Sequence, residues 1–218
     1  MADIKEYETR FIEFAMSHKV LKFGQFTLKS GRQSPYFFNA GEFNTGAALS
    51  ELGGYYAAAI QDSQLQLDVL FGPAYKGIPL VTSTAIAMYS QFQRDLPYAF
   101  NRKEAKDHGE GGTIVGAPLR GKVLIVDDVI TAGTAIRESV KIIQALGAEP
   151  VGVVVAIDRQ EKGRGELSSI QEFEQEFGIP VKAVITLDKI MMYLGTNEQY
   201  SHLLTDMEVY REQYAARY

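Results

Sequence analysis

Cysteine is absent from the 218 residues. That excludes disulfides, thiolate metal sites and a cysteine nucleophile. It fits a reducing compartment, and a cytoplasmic location is the expectation. Long apolar runs are missing too. No stretch reaches the roughly 18 residues of a membrane helix. The opening MADIKEYETR is polar, with no apolar segment behind a basic start, so neither a span nor a signal peptide is expected. Basic residues are not in excess: Lys and Arg number 22 against 27 Asp and Glu, a formal net charge of −5. This balance argues against a nucleic-acid partner, because that affinity rests on neutralising phosphates. A small anion can still be held by a local basic cluster. With three histidines, no His/Asp/Glu set occurs at metal-ligand spacing, so no direct protein ligand to a metal is expected. The remaining composition, 46% hydrophobic and 22% charged, suffices for a core.

The periodicity predicts an amphipathic helix over 4–20, with Ile4, Tyr7, Phe11, Phe14 and Ala15 at helical spacing. Short strands and turns follow over 23–46, where glycines, Pro35 and aromatics cluster. A helix over 47–62 carries Leu49, Leu52, Tyr56 and Ala59 on one face. From there strands and helices alternate. Strands are expected at 68–71, 98–101, 123–126, 151–157 and 181–185. Helices are expected at 78–89, 136–146 and 170–177, with short helices to the C-terminus. Alternation of this kind predicts an α/β chain, a mostly parallel central sheet flanked by helices on both faces. Ligands then bind beyond the carboxyl ends of the strands. No repeat, low-complexity tract or dividing linker occurs, so residues 1–218 are read as one domain: a small N-terminal hood at about 20–45, a core at about 46–186 and C-terminal helices at about 187–218.

The string VLIVDDVITAGTA at 123–135 carries the sharpest chemistry. A buried strand delivers Asp127 and Asp128 to its carboxyl end. Val129, Ile130, Thr131, Ala132, Gly133, Thr134 and Ala135 then lead into a helix. Small residues bring backbone N–H groups close to an anion, the helix start favours negative charge, and the threonines add hydroxyl donors. Two adjacent carboxylates repel unless hydroxyl donors or a cation compensate them, which a vicinal diol would do. The plain alternative is a turn whose acids cap the helix. The string is neither a Walker A loop nor a dinucleotide fingerprint. It resembles the phosphoribosyl-diphosphate (PRPP) signature of type I phosphoribosyltransferases. By that resemblance the acids bind the ribose hydroxyls and the Thr-Ala-Gly-Thr loop holds the 5′-phosphate.

Three other segments extend the resemblance. NRKEAKDHGEGG at 101–112 is a polar stretch with almost no apolar residue. It is either a solvated connector or a lid. It is similar to the mobile loop of orotate phosphoribosyltransferases, and by that resemblance Arg102, Lys103, Lys106 and His108 bind PRPP or the departing pyrophosphate. There they act with Asp128 as the catalytic set, and the loop reaches the neighbouring subunit's site in a homodimer. No single residue is assigned as the proton carrier. FGPAYKG at 71–77 follows a strand. It is an ordinary turn or a pyrophosphate loop in which Gly72 and Gly77 free backbone N–H groups, and in the family Tyr75 and Lys76 contact PRPP. KSGR at 29–32 and SPYFF at 34–38 form the last element. The resemblance places Lys29 on PRPP, and Phe37 and Phe38 against the planar base. Arg159, at the end of a strand, is either a surface cation or a bidentate clamp. The family's orotate-contacting arginine matches it, and Thr131 also contacts orotate there.

The resemblance runs from about Phe23 to Arg164 and implies the type I phosphoribosyltransferase fold. It also implies transfer of the phosphoribosyl group from PRPP to orotate, giving orotidine 5′-monophosphate and pyrophosphate for pyrimidine synthesis. Mg²⁺ would be the cofactor, held mainly by PRPP and water rather than by the protein. Three alternatives stay open: transfer to another base, a PRPP-sensing regulator, and a purely structural domain. The first should lack the basic lid and Arg159, and the second needs a basic DNA-reading segment that is not seen. The length leaves no room for a fused decarboxylase, so a single-function chain is expected.

Overall fold

The computed structural model of the chain describes residues 3–28, 30–106, 112–131, 133–163 and 165–217. For residues 105, 106 and 112 it describes the backbone alone. Helix α1 (Glu6–Ser17) leads into an antiparallel hairpin of β1 (Leu21–Thr27) and β2 (Gln33–Phe38). Helix α2 (Gly46–Ser63) starts at Thr45, whose hydroxyl accepts from the Ala48 N–H and caps it. Then come β3 (Val69–Gly72), α3 (Gly77–Phe92), β4 (Tyr98–Lys106), β5 (Gly112–Gly116), β6 (Lys122–Val126), α4 (Thr134–Ala145), β7 (Glu149–Asp158), α5 (Ser169–Phe177) and β8 (Val181–Thr186). Helices α6 (Leu187–Thr196) and α7 (Leu204–Tyr214) close the chain.

Strands β3 to β8 form one sheet in the order β5-β4-β3-β6-β7-β8. All neighbours are parallel except β4 and β5. The architecture is α/β, with a mostly parallel sheet between helices, as the alternation of strands and helices predicts. The central strands are apolar on both faces because both are covered. Val123 and Ile125 of β6, with Val153 and Val155 of β7, pack toward α4 and α5. Their alternates Leu124, Val126, Val154 and Ala156 pack toward α1, α2 and α3.

One expectation needs correction. The polar stretch at 101–112 reads as a connector or lid, yet residues 102–106 continue β4, and a return strand, β5, follows that the sequence pattern does not announce. The pairing jumps from Asn101↔Ile114 to Lys106↔Gly112, so β4 advances five residues while β5 advances two, and the extra residues bulge. Polar side chains are no obstacle there, because the pair lies at the edge of the sheet, where one face need not be buried.

Candidate active site

The connections fix where the site lies. From β3 the chain crosses through α3 to β4, toward one edge of the sheet. From β6 it crosses through α4 to β7, toward the other. The carboxyl ends of β3 and β6 are neighbours whose following loops diverge, which opens a crevice between them. The segment 73–76 borders one side and the segment 127–133 the other.

The first side is built on close packing. A Cβ on Gly72 would lie 2.2 Å from the Gly77 carbonyl oxygen, and one on Gly77 would lie 2.6 Å from Pro73 Cδ. These glycines therefore let the strand end sit against the start of α3. They do not both free donors, as the sequence had suggested, because the Gly77 N–H donates to the Pro73 carbonyl at 2.9 Å. The Ala74–Tyr75 peptide bond is cis. Asn101 Oδ1 accepts the Ala74 N–H at 2.8 Å and ties this loop to β4. Tyr75 is 68% exposed.

The second side carries the acids. Both Asp127 and Asp128 are buried. Asp128 Oδ2 takes Lys76 Nζ at 2.5 Å, an ion pair that spans the crevice. Asp128 Oδ1 accepts the Val129 N–H, and Asp127 Oδ1 accepts the Asp128 N–H, each at 2.9 Å. The Asp127 backbone is pinned as well: its N–H donates to Val154 O, and its carbonyl accepts from the buried Tyr56 hydroxyl at 2.8 Å. Burial, with the Asp128 carboxylate beside it, pushes the Asp127 carboxyl up to about 7. Burial likewise holds the Tyr56 phenol well above its ordinary value, so it stays a donor.

A stability consequence follows. The folded Asp127 carboxyl binds its proton more tightly than the unfolded one, whose ordinary value is 3.8. Its cost to folding is absent below about pH 4, grows as pH rises, and is complete above about pH 7. Asp127→Asn is expected to raise the Tm at about pH 8 by several degrees, on the order of 1–3 kcal/mol, and to gain little at about pH 4. Thermal unfolding at the two pH values checks this. An equal gain at both would show that the carboxyl does not carry this penalty.

Beyond the acids, Val129 packs toward one face of the sheet and Ile130 toward the other, anchoring the loop astride the strand end. Thr131 is exposed. Gly133 has φ +71° and precedes α4 without a side-chain cap. Among the described residues no side chain caps the first-turn donors of α4, which can therefore serve an outside acceptor. A cleft of about 260 Å³ lies there, lined by Asp127, Val129, Thr131, Gly133, Thr134 and Ala135. Such a surface can take a phosphate at one end and hydroxyl donors at the other.

The remaining residues are placed less uniformly. Arg102 is half-buried and Lys103 exposed on β4. Lys103 Nζ stands 5.0 Å from the Tyr75 ring centroid, next to the crevice. Lys29, His108, Ala132 and the side chain of Lys106 lie outside the described residues. Phe37 and Phe38 are successive residues of β2, so their side chains leave opposite faces of the hairpin. Phe37 stacks on Phe26, with ring centroids 5.5 Å apart, and Phe38 packs on the larger core. Their side chains are therefore not together on one side. Arg159 follows β7 at the same edge of the sheet. Its guanidinium lies 4.2 Å from the Tyr36 ring centroid and bonds Glu161. Tyr56, Asn101, Tyr36 and Glu161 were missed in the sequence. Each acts through a partner at least 27 positions away or through a turn geometry that no local pattern announces. Among the described residues no cluster of three His, Asp or Glu side chains could hold a metal ion, and no helix is long and apolar enough to cross a membrane.

Residues 41–183 match the family model described as phosphoribosyl transferase domain. The chain is 61% identical over 211 residues to the orotate phosphoribosyltransferase of Cronobacter sakazakii and 59% identical to that of Klebsiella pneumoniae. In both cases 97% of this chain and 99% of the relative are covered. The crystal structure of orotate phosphoribosyltransferase from Francisella tularensis superposes with a TM-score of 0.86 at 48% identity, covering 94% of this chain and 99% of that one. An uncapped helix start beside an acid pair at the switch point, in a chain this similar to those relatives over nearly its whole length, places it in the orotate phosphoribosyltransferase family.

Proposed function

We propose that the chain transfers the 5-phosphoribosyl group of PRPP to orotate, with orotidine 5′-monophosphate and pyrophosphate as products. The observation that carries the reading is the crevice itself: the Lys76–Asp128 pair bridging two carboxyl-end loops, beside the uncapped start of α4. In this reading the 5′-phosphate sits at Thr131–Ala135, Ala132 included, where α4 begins. The ribose hydroxyls donate to Asp127 and Asp128, compensating the repulsion between them. Lys76 is positioned for the diphosphate, with Tyr75 and Lys29 beside it. Arg102, Lys103, Lys106 and His108 neutralise charge as pyrophosphate leaves. Bond cleavage at the sugar C1 runs ahead of bond formation to orotate N1, so the protein supplies placement, charge and exclusion of water, with no covalent nucleophile.

Orotate carries a carboxylate, and Arg159 is the cation placed for it. Phe38 or Phe37, but not both side chains at once, covers the base from the hood, and Thr131 contacts its edge. The acids fit hydroxyl donors better than a metal, since Lys76 already holds Asp128 Oδ2 and a backbone N–H holds Asp127 Oδ1. Mg²⁺ would therefore be held mainly by the phosphates of PRPP and water, where it would supply charge screening for the diphosphate. A homodimer, with the 102–112 segment reaching the neighbouring site, and a cytoplasmic location complete the reading. So does a one-domain division into hood, core and C-terminal helices.

Incubation with PRPP, Mg²⁺ and orotate should consume both substrates and release orotidine 5′-monophosphate and pyrophosphate in equal amounts. PRPP left intact would overturn the reading. Arg159→Lys is expected to raise the KM for orotate by about 10-fold or more, because a point charge cannot reproduce a planar bidentate fork, and to leave the KM for PRPP within about 2-fold. Initial rates over both substrate concentrations separate the two constants. A KM for orotate unchanged in the variant would remove Arg159 from the acceptor site.

A further inference from the structure

The Arg159 side chain belongs to a small, half-buried cluster whose other members the reaction as described does not use. Glu161, two residues on, accepts from Arg159 Nε at 2.9 Å on Oε1, and the same oxygen forms an ion pair with Nη2 at 2.7 Å. The Tyr36 hydroxyl donates to the same oxygen at 3.0 Å, while the Tyr36 ring lies under the guanidinium. Arg32 approaches the other carboxylate oxygen at 3.6 Å, and its own Nη2 donates to the Lys162 carbonyl at 2.9 Å. Glu161 is thus shared between two guanidinium groups brought from the hairpin and from the end of β7.

Two physical facts make this arrangement informative. A guanidinium has two edges that can take a carboxylate in parallel bonds: the side edge, Nε with Nη2, and the end edge, Nη1 with Nη2. Glu161 occupies the side edge. On the end edge Nη2 reaches only the Ser34 hydroxyl, in a long contact of 3.4 Å, and Nη1 makes no hydrogen bond to a described residue, so that edge can still take a carboxylate. The charges also do not cancel. Arg32 and Arg159 against Glu161 leave one positive charge, at a site where Arg159 is mostly withdrawn from water. An incoming carboxylate would balance it.

We propose that Glu161 is the positioning residue of the acceptor site: it holds the side edge of Arg159, with the Tyr36 ring beneath, so that the end edge meets the carboxylate of the acceptor base. This rests on the reading of Arg159 as the orotate clamp. Without Glu161 the guanidinium is free to turn about its long side chain, and a misplacement of about 1 Å is enough to cost much of the benefit of a fixed partner. A local cation–carboxylate pair kept only for stability would show a different signature, because its loss would not discriminate between the two substrates.

The test is a comparison of Glu161→Ala, Glu161→Gln and Glu161→Asp with the parent chain, measuring kcat and both KM values. Glu161→Ala is expected to raise the KM for orotate about 10-fold and to leave the KM for PRPP within about 2-fold. Glu161→Gln keeps an oxygen that can accept from Nε and Nη2, so it should restore most of the loss, to within about 3-fold of the parent. Should the alanine variant not fold, Glu161→Asp carries the test. It keeps the charge but withdraws the acceptor by one methylene, and it should still raise the KM for orotate alone. Arg159→Lys is run in parallel. An unchanged KM for orotate in Arg159→Lys overturns the clamp itself. A raised KM there, with the parent's KM in the folded Ala or Asp variant, overturns the positioning role alone. So does a KM for PRPP that rises in step with that for orotate.

Discussion

Asp128→Asn should lower kcat/KM for PRPP by about 100-fold or more while the protein stays folded. The amide keeps an oxygen for the Val129 N–H, so the local turn survives. Toward Lys76, however, the amide then turns its NH2 group, a donor facing an ammonium. The charge-assisted bond across the crevice is then weakened or lost, and with it the acceptor for a ribose hydroxyl. Hydrogen bonds to charged groups contribute about 1.5–3 kcal/mol each, and two such bonds account for an effect of this size. Lys76→Ala should be costly by itself, and the double variant should cost less than the sum, because the two share one ion pair. Additive losses would mean that Lys76 and Asp128 act independently. Asp127→Asn should impair PRPP use too, although it stabilises the free protein above neutral pH. A site that stabilises the fold when disarmed is built for a ligand rather than for the fold.

The second large effect is structural. Gly72→Ala is expected to destabilise the protein by about 3 kcal/mol or more, a fall in Tm of roughly 6–12 °C. The added Cβ would stand 2.2 Å from the Gly77 carbonyl oxygen, 2.7 Å from its carbon and 2.6 Å from Val81 Cγ1. The clashing atoms include the backbone of the first residue of α3, which cannot swing aside as the far end of a side chain can. Either α3 or the carboxyl end of β3 must move, and both carry the loop that holds Lys76. Activity should therefore fall even below the melting transition. Gly46→Ala is the matched control: at the start of α2 a Cβ meets nothing within 4 Å. It should change stability by no more than about 1 kcal/mol, and in the favourable direction, because alanine is the better helix former. Equal melting temperatures for the two variants would contradict the packing account of Gly72.

The central elements were legible in the sequence because their signals are local. β6 and α4 follow from an unbroken apolar run, two acids and an amphipathic stripe ended by Gly147, and the structure puts them at 122–126 and 134–145. The acids at the end of β6 and the small-residue loop after them were visible for the same reason. What lay beyond reach depends on tertiary partners. β5 is a five-residue strand with glycine at both ends, and Gly116 adopts φ +100° where a Cβ would sit 2.5 Å from the Tyr98 carbonyl oxygen. Only its pairing with β4 makes it a strand. Tyr56 reaches Asp127 across 71 positions, and Tyr36 reaches Glu161 across 125. Nothing within either segment marks the partner. The opposite facing of Phe37 and Phe38 follows from strand alternation alone.

The chain's membership in the orotate phosphoribosyltransferases rests on the whole length, but the proposed basis of acceptor choice lies in a few side chains around Arg159. The most direct test is therefore the purified chain with PRPP and Mg²⁺ offered orotate, uracil, adenine and hypoxanthine separately, following pyrophosphate release. Release with orotate, and at least about 100-fold lower kcat/KM with the three bases that lack a carboxylate, is the predicted result. Turnover of another base in preference to orotate would contradict it.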